Sequence, residues 1–242
     1  MRIVGIVQAR MGSTRLPGKV LRTLAGRTVL GRVVRAALES QAVDDLVVAT
    51  STDPTDDAVA AECDGLWMPC HRGDPDDVLT RFMGALEAHP GDAVMRFTAD
   101  CPLLDPEIVA MVGRVFRAVP GLDYTSTSIA RTLPRGLDVE VISADALHAL
   151  DRLATGYHRT HVTSYAYTHA ELFRVVGVTL TPDRSRLRLT LDTEEDWRLM
   201  EAVVAHFGDA CVPIAKLADW LDGRPGLREL NSAVRQKALD EA

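Results

Sequence analysis

The chain begins with Ile3-Val4-Gly5-Ile6-Val7, a run with no polar residue on either alternate set of positions. A strand of that kind needs cover on both faces, which a parallel sheet flanked by helices provides and a half-solvated antiparallel sheet does not. The chain then turns polar and glycine-bearing from Ala9 to Lys19. After it, Val29, Leu30, Val33, Val34, Ala37 and Leu38 recur at helical spacing.

The same rhythm continues. Residues 46–49 form a second apolar run, and Asp53-Pro54 offers a helix cap with proline at the first helical position. A short third strand is expected at 66–68, a helix at 76–88, a strand at 93–98, and a helix capped by Asp105-Pro106. Beyond Pro120 the alternation loosens. Strands are expected at 139–142, 173–178 and 187–191, and helices at 144–153, 161–170 and 214–221. Thr193-Glu194-Glu195-Asp196 reads as a capping box with Asp in the third position. The pattern predicts an α/β fold with a mostly parallel, Rossmann-like sheet covered by helices on both faces. No repeat or linker-like stretch divides residues 1–242, so a single domain is expected. The tail from 223 to 242 is polar and is expected to pack as a terminal helix or to fray.

Charge and hydropathy exclude several functions. With 27 Lys+Arg against 34 Asp+Glu the formal net charge is −7, which argues against a nucleic-acid or anionic-membrane coat. No apolar run reaches the roughly 18 residues of a membrane span, and the start becomes polar too soon for a signal peptide, so a cytoplasmic protein is expected. Cys63, Cys70, Cys101 and Cys211 contain no C-x-x-C pair and read as reduced residues.

Against that acidic background, the loop after the first strand carries Arg10, Arg15 and Lys19 within ten residues, together with Gly12, Ser13, Thr14 and Gly18. Flexible backbone lets amide N–H groups converge, and hydroxyls and cations add further donors, so the loop has the makings of an anion site. It stands at the carboxyl end of the leading strand, where ligands bind in doubly wound sheets. Three cations spread over ten residues suit a triphosphate. The loop is not a Walker A motif, since Gly12 and Gly18 enclose five residues and Val20 follows Lys19; no G-x-G-x-x-G occurs either. A nucleoside triphosphate calls for a divalent cation, commonly held by one or two carboxylates and phosphate oxygens. Asp100 follows the strand at 93–98, and Asp192 follows the apolar alternation at 187–191, so both are candidate Mg²⁺ ligands at the strand ends.

The segments Val7-Gln8-Ala9-Arg10-Met11-Gly12-Ser13-Thr14-Arg15-Leu16-Pro17-Gly18-Lys19 and Thr98-Ala99-Asp100-Cys101-Pro102-Leu103 carry a recognisable pattern. So do Arg72-Gly73-Asp74-Pro75-Asp76-Asp77-Val78-Leu79, Pro134-Arg135-Gly136-Leu137-Asp138-Val139-Glu140-Val141, His158-Arg159-Thr160-His161-Val162-Thr163 and Arg188-Leu189-Thr190-Leu191-Asp192-Thr193. In this order they resemble the cytidylyltransferases that include CMP-sialate and CMP-KDO synthetases, and most closely the SpsF-like branch. The resemblance implies a nucleotide-diphospho-sugar transferase-like fold, Mg²⁺-dependent transfer of CMP from CTP to an acceptor with release of pyrophosphate, and a homodimer. Ala99 stands where sialate and KDO synthetases typically have Gly, and Thr160 where SpsF-like chains often have an acidic residue. The sugar-acid contact motifs of the synthetases are absent between Pro120 and Ala170, so the acceptor stays open: a sugar acid, a sugar derivative, a polyol or a phosphonate.

On this reading residues 1–120 form the nucleotide half, and 121–222 carry the acceptor side and the second metal ligand. Arg10, Arg15 and Lys19 hold phosphates, and Asp100 and Asp192 hold Mg²⁺. Ala9, Met11, Gly12, Ser13, Thr50, Arg72 and Asp77 line the nucleotide, with cytosine read by backbone near residues 7–9 and by the segments 50–53 and 72–77. Arg135 and Arg159 are expected to grip an anionic acceptor. Asp138, Glu140 and His161 are acceptor-side residues, any of which would serve as general base for a hydroxyl acceptor. Two alternatives stand beside this one: a sugar-1-phosphate nucleotidylyltransferase using another NTP, and a non-catalytic nucleotide-binding module.

Overall fold

The computed structural model describes residues 1–236. In chain order the elements are β1 (Ile3–Gln8), β2 (Thr23–Leu24), β3 (Arg27–Thr28), α1 (Val29–Glu39), β4 (Asp45–Ser51), α2 (Asp57–Gly65), β5 (Cys70–Gly73), α3 (Val78–Ala88), β6 (Ala93–Thr98) and α4 (Pro106–Ala118). Then follow β7 (Tyr124–Ser126), β8 (Glu140–Ser143), α5 (Ala144–Leu153), α6 (Tyr157–Thr160), α7 (Ser164–Thr168), β9 (Val175–Gly177), α8 (Glu194–Phe207), α9 (Ile214–Asp222) and α10 (Pro225–Glu229).

Seven strands form one sheet in the order β5-β4-β1-β6-β8-β7-β9. The block β5-β4-β1-β6 is parallel, β8 runs antiparallel to both its neighbours, and β9 is parallel to β7. The apolar start is thus a central strand. Its alternate residues divide between two cores: Ile3 and Val7 pack with Leu30, Val33, Val109, Phe116, Met200 and Val203 from α1, α4 and α8. Val4 and Ile6 pack on the other face with Leu79, Phe82, Leu147 and Leu150 from α3 and α5.

The helix starts follow from side-chain caps. Thr28, Asp77, Asp105 and Ser143 each accept an N–H of the first turn, and the Thr193–Asp196 capping box is complete in both directions. Thr193→Ala should therefore cost about 1 kcal/mol, read as a small drop in melting temperature.

Several expected elements differ from the structure. The third strand is β5 (Cys70–Gly73), not 66–68; there the chain turns, with Trp67 at φ 57° and almost wholly exposed. Residues 161–170 hold not one helix but the end of a turn after α6 and then the short α7. Residues 187–191 form no strand beyond an isolated parallel bridge between Arg135 and Arg188. The three-residue β7 was not expected at all. In the tail, α10 packs against α9 and α8, residues 230–236 form turns and irregular chain with no helix, and the rest of the expected tail, residues 237–242, lies outside the described residues.

Gly136 fixes the approach of the 187–191 segment to the rest of the sheet edge. Its φ is +98°, and a Cβ there would sit 2.4 Å from the carbonyl carbon and oxygen of Leu189 and 2.5 Å from the Thr190 nitrogen. These are backbone atoms and cannot swing aside. Gly136→Ala should destabilise by at least about 2–4 kcal/mol, combining left-handed strain with overpacking. Denaturant unfolding measures it, and an unchanged midpoint would refute the close approach.

Candidate active site

A cleft of about 860 Å³ opens at the carboxyl ends of β1 and β6. Arg10, Gly12, Ser13, Thr14, Arg15 and Lys19 form one wall, with Asp100 and Asp192 at its base. Met11 anchors the basic loop, donating its N–H to Asp56 Oδ1 at 2.6 Å, and the Gly18 N–H closes the loop onto the Met11 carbonyl at 3.2 Å. Gly18 takes φ 66°, the left-handed turn that starts the short helical turn Lys19–Leu21. Gly12 is not among the residues of positive φ, so the loop needs glycine conformation at only one of the two expected places. Between these anchors the N–H groups of Gly12, Ser13, Thr14 and Arg15 take no partner among the described residues. Four successive free donors beside cations make the wall electropositive.

Lys19 is buried, and its ammonium donates to Asp100 Oδ2 at 2.8 Å, Asp192 Oδ1 at 2.7 Å and the Leu191 carbonyl at 2.8 Å. Two carboxylates from distant parts of the chain thus meet around one cation. Burial works to lower the Lys19 pKa, but the charges and hydrogen bonds of Asp100 and Asp192 outweigh it and hold it above the ordinary lysine value. For Asp100, burial would raise the carboxyl; the Lys19 ammonium prevails and holds it below the usual range. Lys19 therefore bridges carboxylates here instead of standing free toward the cleft, as a phosphate-binding role alone would require. Arg15 reaches Asp192 Oδ2 at 3.2 Å, while Arg10 is exposed at the rim.

The donor set fits a hard divalent ion. Two carboxylate oxygens lie within 2.8 Å of the same nitrogen, close enough to share one ion. The described residues contain no cluster of three or more His, Cys, Asp or Glu that could hold a metal. Magnesium typically takes one or two carboxylates and leaves its other positions to phosphate and water, so the two aspartates suffice.

Residues that sequence reasoning missed hold this base in place. Arg188 NH2 donates to Asp192 Oδ2 at 2.9 Å, and Arg188 is clamped by the fully buried Asp196 through its Nε at 2.8 Å and its NH2 at 3.0 Å. The spacing Arg188, Asp192, Asp196 is the one available signal. It reads as a helical i, i+4 series, whereas the first two residues precede the helix.

The far wall carries Arg96, Arg131, Arg135, Asp138, Glu140 and His161. Glu140 does not face solvent. It pairs with Arg96 at 3.0 Å and accepts the Thr163 hydroxyl at 2.7 Å, and Arg96 also donates to Gln8 Oε1 at 3.2 Å. Asp138 pairs with Arg131. The half-buried Arg135 guanidinium makes no hydrogen bond or ion pair among the described residues, while burial and Arg131 push its pKa down. An underused guanidinium in a cleft is a ready carboxylate or phosphonate grip.

The remaining expected residues lie off the cleft lining. Ala9 and Thr50 are buried, the latter with an unpartnered hydroxyl. Arg72 donates to the carbonyls of Ser51 and Asp53 and pairs with Asp57 at 2.7 Å. Asp77 caps α3 and pairs with Arg159, which also binds Asp151 at 2.9 Å. Arg159 is thus saturated by carboxylates away from the acceptor wall, unlike Arg135.

Comparisons with known proteins bear on the family and the fold. The family model described as cytidylyltransferase matches residues 4–219. The chain is 38% identical over 217 residues to the spore coat polysaccharide biosynthesis protein SpsF of Bacillus subtilis, covering 86% of this chain and 88% of that protein. It is 36% identical over 245 residues to an uncharacterized protein of Methanocaldococcus jannaschii, covering 100% of this chain and 99% of that one. A solved cytidylyltransferase from Leptospira borgpetersenii superposes with a TM-score of 0.91 at 27% identity, covering 98% of this chain and 99% of the other. A basic loop and two aspartates meeting in one cleft, in a chain so matched along nearly its whole length, lead to one conclusion: the chain belongs to the cytidylyltransferase family of enzymes.

Proposed function

We propose that the enzyme transfers CMP from CTP to a small acidic or sugar-like acceptor, with Mg²⁺ held by Asp100 and Asp192. The observation that carries this reading is the meeting of both carboxylates on the Lys19 ammonium beneath a loop of free N–H donors and arginines. The free amides of residues 12–15, with Arg10 and Arg15, take the phosphate chain and stabilise charge that grows on departing pyrophosphate. Lys19, which holds the two carboxylates together, would lie beside the ion they share and would be within reach of a phosphate oxygen. When bound, the metal supplies Lewis-acid polarisation of the phosphate oxygens. Arg135 holds the acceptor's anionic group so that its nucleophilic oxygen faces the α-phosphorus, and rate comes mainly from positioning. A carboxylate or phosphonate oxygen attacks without a base. For a hydroxyl, Asp138, Glu140 and His161 all line this wall and any of them would take its proton.

Pyrophosphate release with CTP, UTP, dTTP and GTP, each with Mg²⁺ and a panel of sugar acids, sugars, polyols and phosphonates, tests the reading. Turnover confined to CTP and an anionic acceptor is expected. Turnover with a sugar 1-phosphate and another NTP would replace it. Arg135→Ala should raise the acceptor KM about 10-fold or more with the CTP KM unchanged, since a guanidinium–carboxylate contact contributes about 1.5–3 kcal/mol.

A further inference from the structure

The base of the cleft is tied to a part of the chain beyond the family match, which ends at residue 219. Asn231, 3% exposed, donates its side-chain N–H to Asp196 Oδ1 at 2.8 Å and to the Arg188 carbonyl at 3.1 Å. Gln236 Oε1 accepts Arg188 NH1 at 2.8 Å, and the Arg235 carbonyl accepts Arg15 NH1 at 3.4 Å. The Arg188 fork is thereby held on every side: Nε and NH2 by Asp196, NH1 by the C-terminal segment. What remains for NH2 is Asp192 Oδ2, at 2.9 Å.

We propose that Asn231 and Gln236 are positioning residues for Asp192, acting through Asp196 and Arg188, so that the segment after α10 completes the active site. The proposal rests on the reading of Asp192 as a ligand of the metal–nucleotide complex. Its physical basis is geometric. A planar guanidinium with its outer donors fixed can present NH2 to a carboxylate in one orientation only, and Asp192 is then held with one oxygen on Arg188 and the other toward Lys19 and Asp100. Asp196 makes this demanding: it is wholly buried, and it also accepts the N–H groups of Asp192 and Thr193 at 2.9 and 3.1 Å. Removing the Asn231 donor leaves that carboxylate short of a partner and lets the Arg188 fork rotate. Outer partners of metal ligands typically matter by about 10–100-fold in affinity.

The test is a double-mutant cycle on the full chain, with Asn231→Leu, Asp192→Asn and the pair, reading Mn²⁺ affinity by electron paramagnetic resonance with and without CTP, alongside melting temperature. Asn231→Leu should weaken Mn²⁺ binding in the presence of CTP by about 10–100-fold, and this loss should disappear in the Asp192→Asn background. Gln236→Ala, on the exposed tail and so harmless to folding, should shift Mn²⁺ affinity in the same direction. A loss of equal size in both backgrounds, or a fall in melting temperature with unchanged Mn²⁺ affinity, would show Asn231 to be merely structural and overturn the proposal. If Asp192→Asn itself binds Mn²⁺ and CTP like the parent, the reading of Asp192 falls and the relay with it.

Discussion

Asp100→Asn should reduce pyrophosphate release by about 10²–10³-fold, roughly 3–4 kcal/mol of transition-state stabilisation, while leaving the fold intact. The substitution keeps the shape of the side chain and removes only its charge. Lys19 keeps Asp192 and the Leu191 carbonyl as partners, so no buried cation is orphaned. Circular dichroism and melting should therefore stay near the parent as turnover collapses. Turnover within a few-fold of the parent at saturating CTP and Mg²⁺ would remove Asp100 from the chemistry.

Lys19→Met has the second large effect, and on a different observable. It leaves two carboxylates within reach of one ion with no cation between them, which for a buried arrangement costs about 3–5 kcal/mol. The lower end applies, because Asp100 and Asp192 keep 26% and 15% of their side-chain surface exposed. The vacated position should now attract a divalent ion more strongly, so Mn²⁺ or Mg²⁺ should raise the variant's melting temperature more than the parent's. Equal shifts in the two proteins would sink the shared-site geometry.

The pH dependence of this cluster has a definite sign. Lys19 is raised in the folded state, so its contribution is fully present below the unfolded lysine value of about 10.4 and is lost as pH rises through the folded one. Asp100 is depressed, so its contribution is present above about 3.9 and is lost as pH falls through its folded value. Between those limits the pair should give a flat stability plateau, and Lys19→Met should lose the alkaline limb of the melting profile and weaken the acid limb with it, because the Lys19 ammonium is also what holds the Asp100 carboxyl down.

The elements legible in the sequence were those written in local terms. The strand β1 announces itself because both of its faces must be apolar, and the caps of Asp105 and Thr193 because their partners lie within three residues. The strand β5 was displaced because it is a half-buried sheet edge reading Cys-His-Arg-Gly, with no apolar run to mark it. Residues 187–191 alternate like a strand, yet their backbone is spent on single crossings: the Leu189 N–H to the Arg135 carbonyl at 2.7 Å, and the Leu191 N–H to the Asp100 carbonyl at 2.9 Å. Periodicity records which side chains are buried, not which backbone partner arrives.

The same division runs through the site. Sequence alone determined that an electropositive loop follows the first strand and that acidic residues end two later segments, because composition and strand order are local facts. Only the folded chain decided that Asp100 and Asp192 share one ammonium, that Arg159 is taken by Asp77 and Asp151 while Arg135 is left open to the cleft, and that Asn231 reaches back to the Arg188 fork. Apart from Arg159 and Asp151, eight positions apart, those pairings join residues tens to more than a hundred positions apart. Which carboxylate meets which cation depends on distances of a few ångströms set by the packing of whole layers, and nothing in the neighbouring residues encodes them.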